Sequence, residues 1–470
     1  MPSADRAIPA GPSTPATATL AVRLGAAIAA TVMLLLPAIW NRFPLLEWDT
    51  GGYLARWFEG YLVPARSTTY GLLLAAAAPL EFWPVVILQA VATVWVIAVL
   101  LRTHRINVFP FGLLVTIAVL SAITALPWSA SILLTDIFAG LAVLAFHTVV
   151  VHNDRVSRRE SVALVLFVAF AASTHSATYA VLLALGILAV VVSVLDARLV
   201  PRPGVARAVV ALVLGAAMLL AGNYVVAKKL AWTPGGYEIA FGRMLQDGIV
   251  TRYLDDHCPN PKLKLCPYRH ELPRDADVFL WGNSVFDRLG RSAGLGDELR
   301  TIVLGSLRDY PLMQLRAALV ATAKQLVYVG TGEGIVTTMW HTYGIIEHFA
   351  PGSVAPMRAA RQQHGELHFR AINAVHEPVA WASMVLLPLI VVLGLQSEAF
   401  ADLARLAATI AFALLANAAV CGVISNPHDR YGSRMVWMAV FVTALAASRV
   451  ASLARKRIVA SHSAVPAAGS

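Results

Sequence analysis

The chain has 470 residues, of which 58% are hydrophobic and only 14% charged, with a formal net charge of +10 and a mean hydropathy of +0.67. A soluble domain of this size carries about 25% charged residues, so a water-soluble globular fold is excluded. The positive charge does not point to nucleic acid, because most of it sits beside apolar runs, where the positive-inside bias and anionic headgroups already account for it.

The segment 1–19 is rich in Ala, Pro, Ser and Thr and is expected to be disordered and cytoplasmic. It lacks the compact basic region and cleavage site of a secretory signal, so the first apolar run, at about 23–40, reads as a retained helix. Further spans are predicted at about 82–101, 108–126, 134–151, 161–174, 177–195, 208–227, 379–395, 406–424 and 434–449. Each approaches the length needed to cross about 30 Å of hydrocarbon. The fold class is therefore an all-α polytopic membrane protein with about ten transmembrane helices. Its parts are a transmembrane core at 20–227, a mixed extramembrane loop domain at 228–377, C-terminal helices at 378–450 and a basic cytoplasmic tail at 451–470.

Basic residues set the orientation. Arg102 and Arg105, then Arg155, Arg158 and Arg159, then Arg198, Arg202 and Arg207, then Arg455, Lys456 and Arg457 fall in alternate loops. Lys and Arg beside spans stay on the cytoplasmic side, so both termini are expected there, in an inner or plasma membrane. Segments 41–81, 228–377 and 425–434 then face the exterior. The apolar run 312–329 is interrupted by Arg316, Lys324 and Gln325. A charge at mid-bilayer costs about 2.5–3.5 kcal/mol on insertion scales, so an interfacial helix is expected there. Cys258 and Cys266, in CPNPKLKLC, would form a disulfide in an oxidising outer compartment. A metal site fits less well, because only His257 and His270 flank the pair.

Candidate chemistry collects at outer helix ends. Glu47 and Asp49 follow the first span, and Gly51 and Gly52 would allow a turn that aims a carboxylate along the bilayer surface. Asp49 is the main candidate; its structural reading is an N-cap for a helix starting near Tyr53. Asp136 stands at the outer end of the fourth span, where an acid is costly unless it is paired or faces a cavity, or else caps its helix. His175 lies in the turn between the fifth and sixth spans and reads equally as a structural hydrogen-bonding residue. His428, Asp429, Arg430, Tyr431 and Arg434 crowd the last outer turn, and arginines on that side call for an anionic partner.

The order of these features resembles the GT-C superfamily of polytopic, lipid-linked-sugar glycosyltransferases, which includes protein mannosyltransferases and the aminoarabinose transferases acting on lipid A. The resemblance rests on an acid after the first span, the Arg-x-x-x-Tyr-x-x-x-Leu segment from Arg66 to Leu74, the Asp136 position, the polar turn at His175 and the His-x-Arg-Tyr turn at His428. It covers about the first 200 residues and the last 50. It implies transfer of a sugar from a polyprenyl-phosphate donor to a lipid, glycan or protein acceptor. It makes Asp49 the base, with Asp136 as a second catalytic acid and Glu47 as a further one. Arg66, His175, His428, Arg430 and Arg434 would hold the donor phosphate. The chain departs from the family where Ser67-Thr68-Thr69 replaces a proline and where His175 replaces a lysine. No cofactor is expected: no dense carboxylate cluster suited to Mg²⁺ or Mn²⁺ is visible, although a divalent metal is left open. The competing readings are a transporter or lipid flippase, which would call for internal repeats and broken helices, and a non-catalytic scaffold.

The charge pattern generates a topological prediction. Reporter fusions at about residues 270 and 428 score external, and fusions at about 155 and 203 score internal. An internal score at 270 overturns the layout.

Overall fold

The computed structural model describes residues 16–106 and 110–463, and the side chains of 20–106 and 110–455. The expected disorder of the N-terminus, the start of the third span at 108 and the basic tail beyond 455 thus lie wholly or largely outside the described residues.

Hydrophobic segments fold into helices because in an apolar solvent every backbone N–H and C=O must be satisfied within its own segment. The first half of the chain gives α1 (Ala16–Asn41), α2 (Trp48–Glu59), α3 (Thr68–Ala77), α4 (Trp83–Thr103), α5 (Phe111–Ile123), α6 (Leu126–Ser131), α7 (Asp136–Val151), α8 (Arg158–Thr174), α9 (Ser176–Leu195) and α10 (Arg202–Ala227). The segment expected to be extramembrane contains α11 (Gly236–Gln246), α12 (Ile249–His257), α13 (Ala276–Trp281), α14 (Val285–Arg288), α15 (Arg291–Asp309), α16 (Pro311–Val327), α17 (Trp340–Phe349) and α18 (Val354–Ala359). The chain closes with α19 (Phe369–Gln396), α20 (Ala401–Ala419), a π-helical turn at Val420–Ile424 and α21 (Asp429–Ser463).

Seven described segments are long and apolar enough to cross a membrane: Leu20–Asn41, Trp83–Thr103, Ser176–Leu195, Arg202–Ala227, Phe369–Gln396, Glu398–Ile424 and Asp429–Arg455. The protein is a multi-pass, all-α membrane protein. Three of the ten expected spans are not among these seven: the third and fourth are shorter than the hydropathy pattern suggested, whereas the fifth, expected at 161–174, begins earlier than expected and is still short for a crossing. The third ends at Ile123, where Thr124 turns extended and α6 begins with its own Pro127. The fourth is the 16-residue α7, and the fifth is the 17-residue α8. The apolar run was continuous in composition while the backbone was bent.

The loop domain is helical, without a β-strand among its described residues, which corrects the mixed fold expected from its polar, Pro/Gly-punctuated sequence. It holds a small core of its own, built from Phe241, Ile249, Leu254, Phe279, Leu299 and Ile302. Cys258 and Cys266 are disulfide-bonded, with Cα atoms 5.6 Å apart. Helix α16 buries only Ala321 and Gln325, and leaves Leu312, Leu315 and Leu319 exposed.

Two extended stitches position the segment between α1 and α2. The Leu45 N–H donates to the Ser131 carbonyl and the Leu133 N–H donates to the Leu45 carbonyl, both at 2.9 Å. Gln362 then takes both backbone groups of Leu46: its Oε1 accepts from the N–H at 3.0 Å and its Nε2 donates to the carbonyl at 2.8 Å. From below, Gln89 Nε2 donates to the Ala130 and Ile132 carbonyls. The start of α2 and the start of α7 are thereby held side by side. A linked peptide containing Cys258 and Cys266 is expected from mass spectrometry of unreduced protein; two thiols alkylated without reductant would refute the pairing.

Candidate functional site

Glu47 is the N-cap of α2: its carboxylate accepts from the Asp49 N–H at 2.6 Å, and its own N–H donates to Thr50 Oγ1 at 3.0 Å. Helix α2 therefore starts at Trp48 and not near Tyr53. Asp49 sits in its first turn, where the helix N-terminus favours an anion. Gly51 and Gly52 are helical and make no turn. The carboxylates are aimed by the cap and by the Leu45 stitch instead. Asp136 occupies the first position of α7.

Arg430 and Arg434 lie one turn apart on one face of α21. Arg430 joins all three acids: its Nη1 is 2.6 Å from Glu47 Oε1 and 3.1 Å from Asp49 Oδ2, and its Nε is 3.4 Å from Asp136 Oδ2. Arg434 Nη1 reaches the other oxygen of Asp136 at 3.3 Å, while its Nη2 donates to Asn417 Oδ1 at 2.7 Å. Arg66 pairs with Asp49 from the opposite side. Gly140 permits the approach of α7 to α21, because a Cβ there would fall 2.8 Å from the Trp437 ring. Gly334, with φ +79°, passes over the carboxylate of Glu47, where a Cβ would lie 2.4 Å from Oε1.

Three carboxylates thus meet three guanidinium groups at one end of the helix bundle. Access is graded. Arg434, Glu47 and Asp136 side chains are sealed at 1%, 4% and 5% exposure, whereas Asp49, Arg430 and Arg66 keep 13%, 16% and 18%. A small ligand would meet the Asp49 carboxylate first.

The two neighbouring acids differ electrostatically. Burial pushes Glu47 up to about 7 against the pull of Arg430, with Asp49 adding repulsion. Burial also pushes Asp49 up, but Arg66 and Arg430 outweigh it and hold the group below the usual carboxylate range. Asp49 is therefore fully ionised at neutral pH, and Glu47 is the acid that exchanges a proton there.

The structure separates the expected phosphate-binding residues. Arg66, Arg430 and Arg434 belong to the cluster. His175 caps α9, its Nδ1 accepting from the Ala177 N–H at 3.2 Å. Burial, reinforced by Arg434, Arg430 and Arg66, holds its imidazole well below the ordinary value. It is neutral and offers an Nε2–H rather than a cation. His428 pairs with two other acids, with Nδ1 2.8 Å from Glu333 and Nε2 3.3 Å from Asp277. Burial pushes it down, but these two acids outweigh that and raise it to about 9.

Glu333, Asp277 and Gln362 were not singled out from the sequence, and Gln325 was read only as an interruption of the 312–329 run. Glu333 also accepts from the Arg430 N–H at 2.8 Å, and Gln325 brackets His428 through two backbone hydrogen bonds. The only sequence signal was the acid inside VGTGEG, where flanking glycines bring the backbone close to its neighbours. No protein-family model, curated protein or solved structure matches the chain.

Glu47 carries a pH prediction. Its raised pKa means that the folded state holds a proton between about 4.5 and about 7 that the unfolded state releases, so its contribution to stability is present below that window and lost as pH rises through it. The thermal midpoint of Glu47→Gln minus that of wild type, measured in detergent, is expected to increase from pH 5 to pH 8. A pH-independent difference would contradict the raised value.

Proposed function

We propose that the chain is a membrane glycosyltransferase of the GT-C type, which moves a sugar from a polyprenyl-phosphate donor to an acceptor hydroxyl at the outer face of the inner membrane. The observation that carries this reading is the junction at Arg430, which joins Glu47, Asp49 and Asp136 at the end of the bundle. A glycosyl polyprenyl phosphate keeps its tail in lipid and its phosphosugar at the surface, so its chemistry belongs at helix ends.

In this mechanism the acceptor hydroxyl attacks the anomeric carbon, the bond from that carbon to the phosphate oxygen breaks, and the acceptor proton passes to a carboxylate. Asp49 is the most exposed of the three acids and takes that role. The departing polyprenyl phosphate carries the charge that Arg66 and Arg430 would neutralise by exchanging a carboxylate for a phosphate oxygen. Asp136, held by both arginines of α21, fixes their orientation. Glu47, titrating near neutrality beside Asp49, would relay the proton onward.

A second reading has one observation in its favour. A buried acid that exchanges a proton near pH 7 and touches an arginine is what a proton-coupled transporter uses. The position of the cluster at helix ends, away from the middle of the spans, favours the transferase.

Asp49→Asn preserves size and hydrogen bonding but removes the basic carboxylate. It is expected to lower glycan transfer by at least about two orders of magnitude with normal membrane insertion. Arg430→Ala should instead weaken use of the lipid-linked donor most. Unchanged glycan product from Asp49→Asn ends the base assignment. Proton flux in vesicles that is abolished by Glu47→Gln, without any transfer activity, favours the transporter.

A further inference from the structure

At the opposite end of α7 from Asp136 three histidines converge. His104 follows α4, His147 lies in the last turns of α7, and His152 is its C-cap. All three are buried, at 0–1% exposure. One nitrogen of each ring lies within 4.8 Å of a nitrogen of both others. The Nε2 atom of each is buried and has no hydrogen-bond partner within the described protein.

The tautomers of two rings are fixed by their other nitrogens. His104 Nδ1 lies 2.9 Å from the Leu100 carbonyl, which can only accept, so Nδ1 carries the proton. His147 Nδ1 lies 2.9 Å from Thr409 Oγ1. That hydroxyl spends its own proton on the Arg405 carbonyl, also at 2.9 Å, so it accepts from the imidazole. Both Nε2 atoms are therefore lone pairs. This is the arrangement of metal-binding imidazoles, whose second N–H is anchored to a carbonyl or another acceptor.

We propose that His104, His147 and His152 form a binding site for one divalent first-row metal ion, with Zn²⁺ the best fit to an all-imidazole donor set. A single water has two protons, enough for the two fixed lone pairs, and satisfies all three rings only if His152 turns its own N–H toward it. A metal ion takes all three lone pairs at once. Tetrahedral Zn–N bonds of about 2.0–2.1 Å place ligand nitrogens about 3.3 Å apart, so the rings close in on the ion by small side-chain rotations. The surrounding charges set the fourth ligand. Asp402 acts on His104 and His152, but it is already paired with Arg449. Arg405 lies near His147 and His152, and Arg155 near His104 and His152. A fourth ligand that is anionic, hydroxide or chloride, meets this basic flank better than a neutral one. The ion would tie the ends of α4 and α7 together beside α20, and its binding does not depend on the transferase reading.

The test uses untagged full-length protein in detergent, stripped with a chelator and titrated with Co²⁺ or Zn²⁺ alone. One equivalent of Zn²⁺ is expected, together with the strong visible d–d absorption of low-coordinate Co²⁺, which Zn²⁺ displaces. His104→Ala and His152→Ala are each expected to weaken binding by at least about 100-fold. Thr409→Val removes only the acceptor behind His147 and should weaken it by about 10–100-fold, with an unchanged elution profile that shows the fold intact. Failure of the wild type to take up one equivalent overturns the proposal. So does a Co²⁺ spectrum indifferent to both His152→Ala and Thr409→Val.

Discussion

Arg430 is the residue on which the arrangement of this bundle end depends. Three carboxylates brought within a few ångströms of one another in a poorly hydrated setting cannot all stay ionised unless a cation stands between them. The guanidinium does this because it is planar and presents several N–H groups in a fixed fork. Its bonds to Glu47, Asp49 and Asp136 join the start of α2, the start of α7 and the start of α21. Removing one partner of such a buried pair typically costs about 3–5 kcal/mol. The cluster is therefore a structural junction of three elements as well as a collection of reactive groups. Arg434 and Arg66 complete its charge balance, each holding an acid that Arg430 also touches.

The same turn is gripped from the loop domain. His428 spans Glu333 and Asp277, and Glu333 reaches on to the Arg430 backbone. Because both acids hold the imidazole protonated up to about pH 9, this grip is a charged one across the physiological range. The loop domain thus bears on the cluster through the peptide of Arg430, through Gly334 over the Glu47 carboxylate and through Gln362 at Leu46.

Much of this was legible in the sequence, and the reason is the solvent. A carboxylate or arginine at the end of an apolar run has few uses, so Asp49, Asp136, Arg430 and Arg434 stood out against their surroundings, and the structure places them in one cluster. Glu333, Asp277 and Gln362 lie in polar sequence where such residues are ordinary, and only the fold brings them to the site. Span lengths were misjudged for a different reason. Hydropathy sums over composition, and the bend at Thr124 leaves composition unchanged. Similarly, Gly51 and Gly52 suggested a turn, but the capping box of Glu47 and Thr50 starts the helix ahead of them. The three histidines were each visible, yet their 43-residue and five-residue separations gave no spacing that predicts a shared ligand.

The stitch at Leu45 has a consequence for what can reach the acids. The extended chain there has its amides occupied by Ser131, Leu133 and Gln362, and Phe43, Leu45 and Leu46 side chains are fully buried beside it. The floor beneath Glu47 and Asp49 is thus dry, although it is not helical. Of the cluster's charged groups, Arg66, Arg430 and Asp49 keep the most exposure, so their side is open to solvent. In the transferase proposed above, a donor seated against those arginines would cover that open side with its own bulk, and attack by water would be restrained by geometry before any lid needed to move.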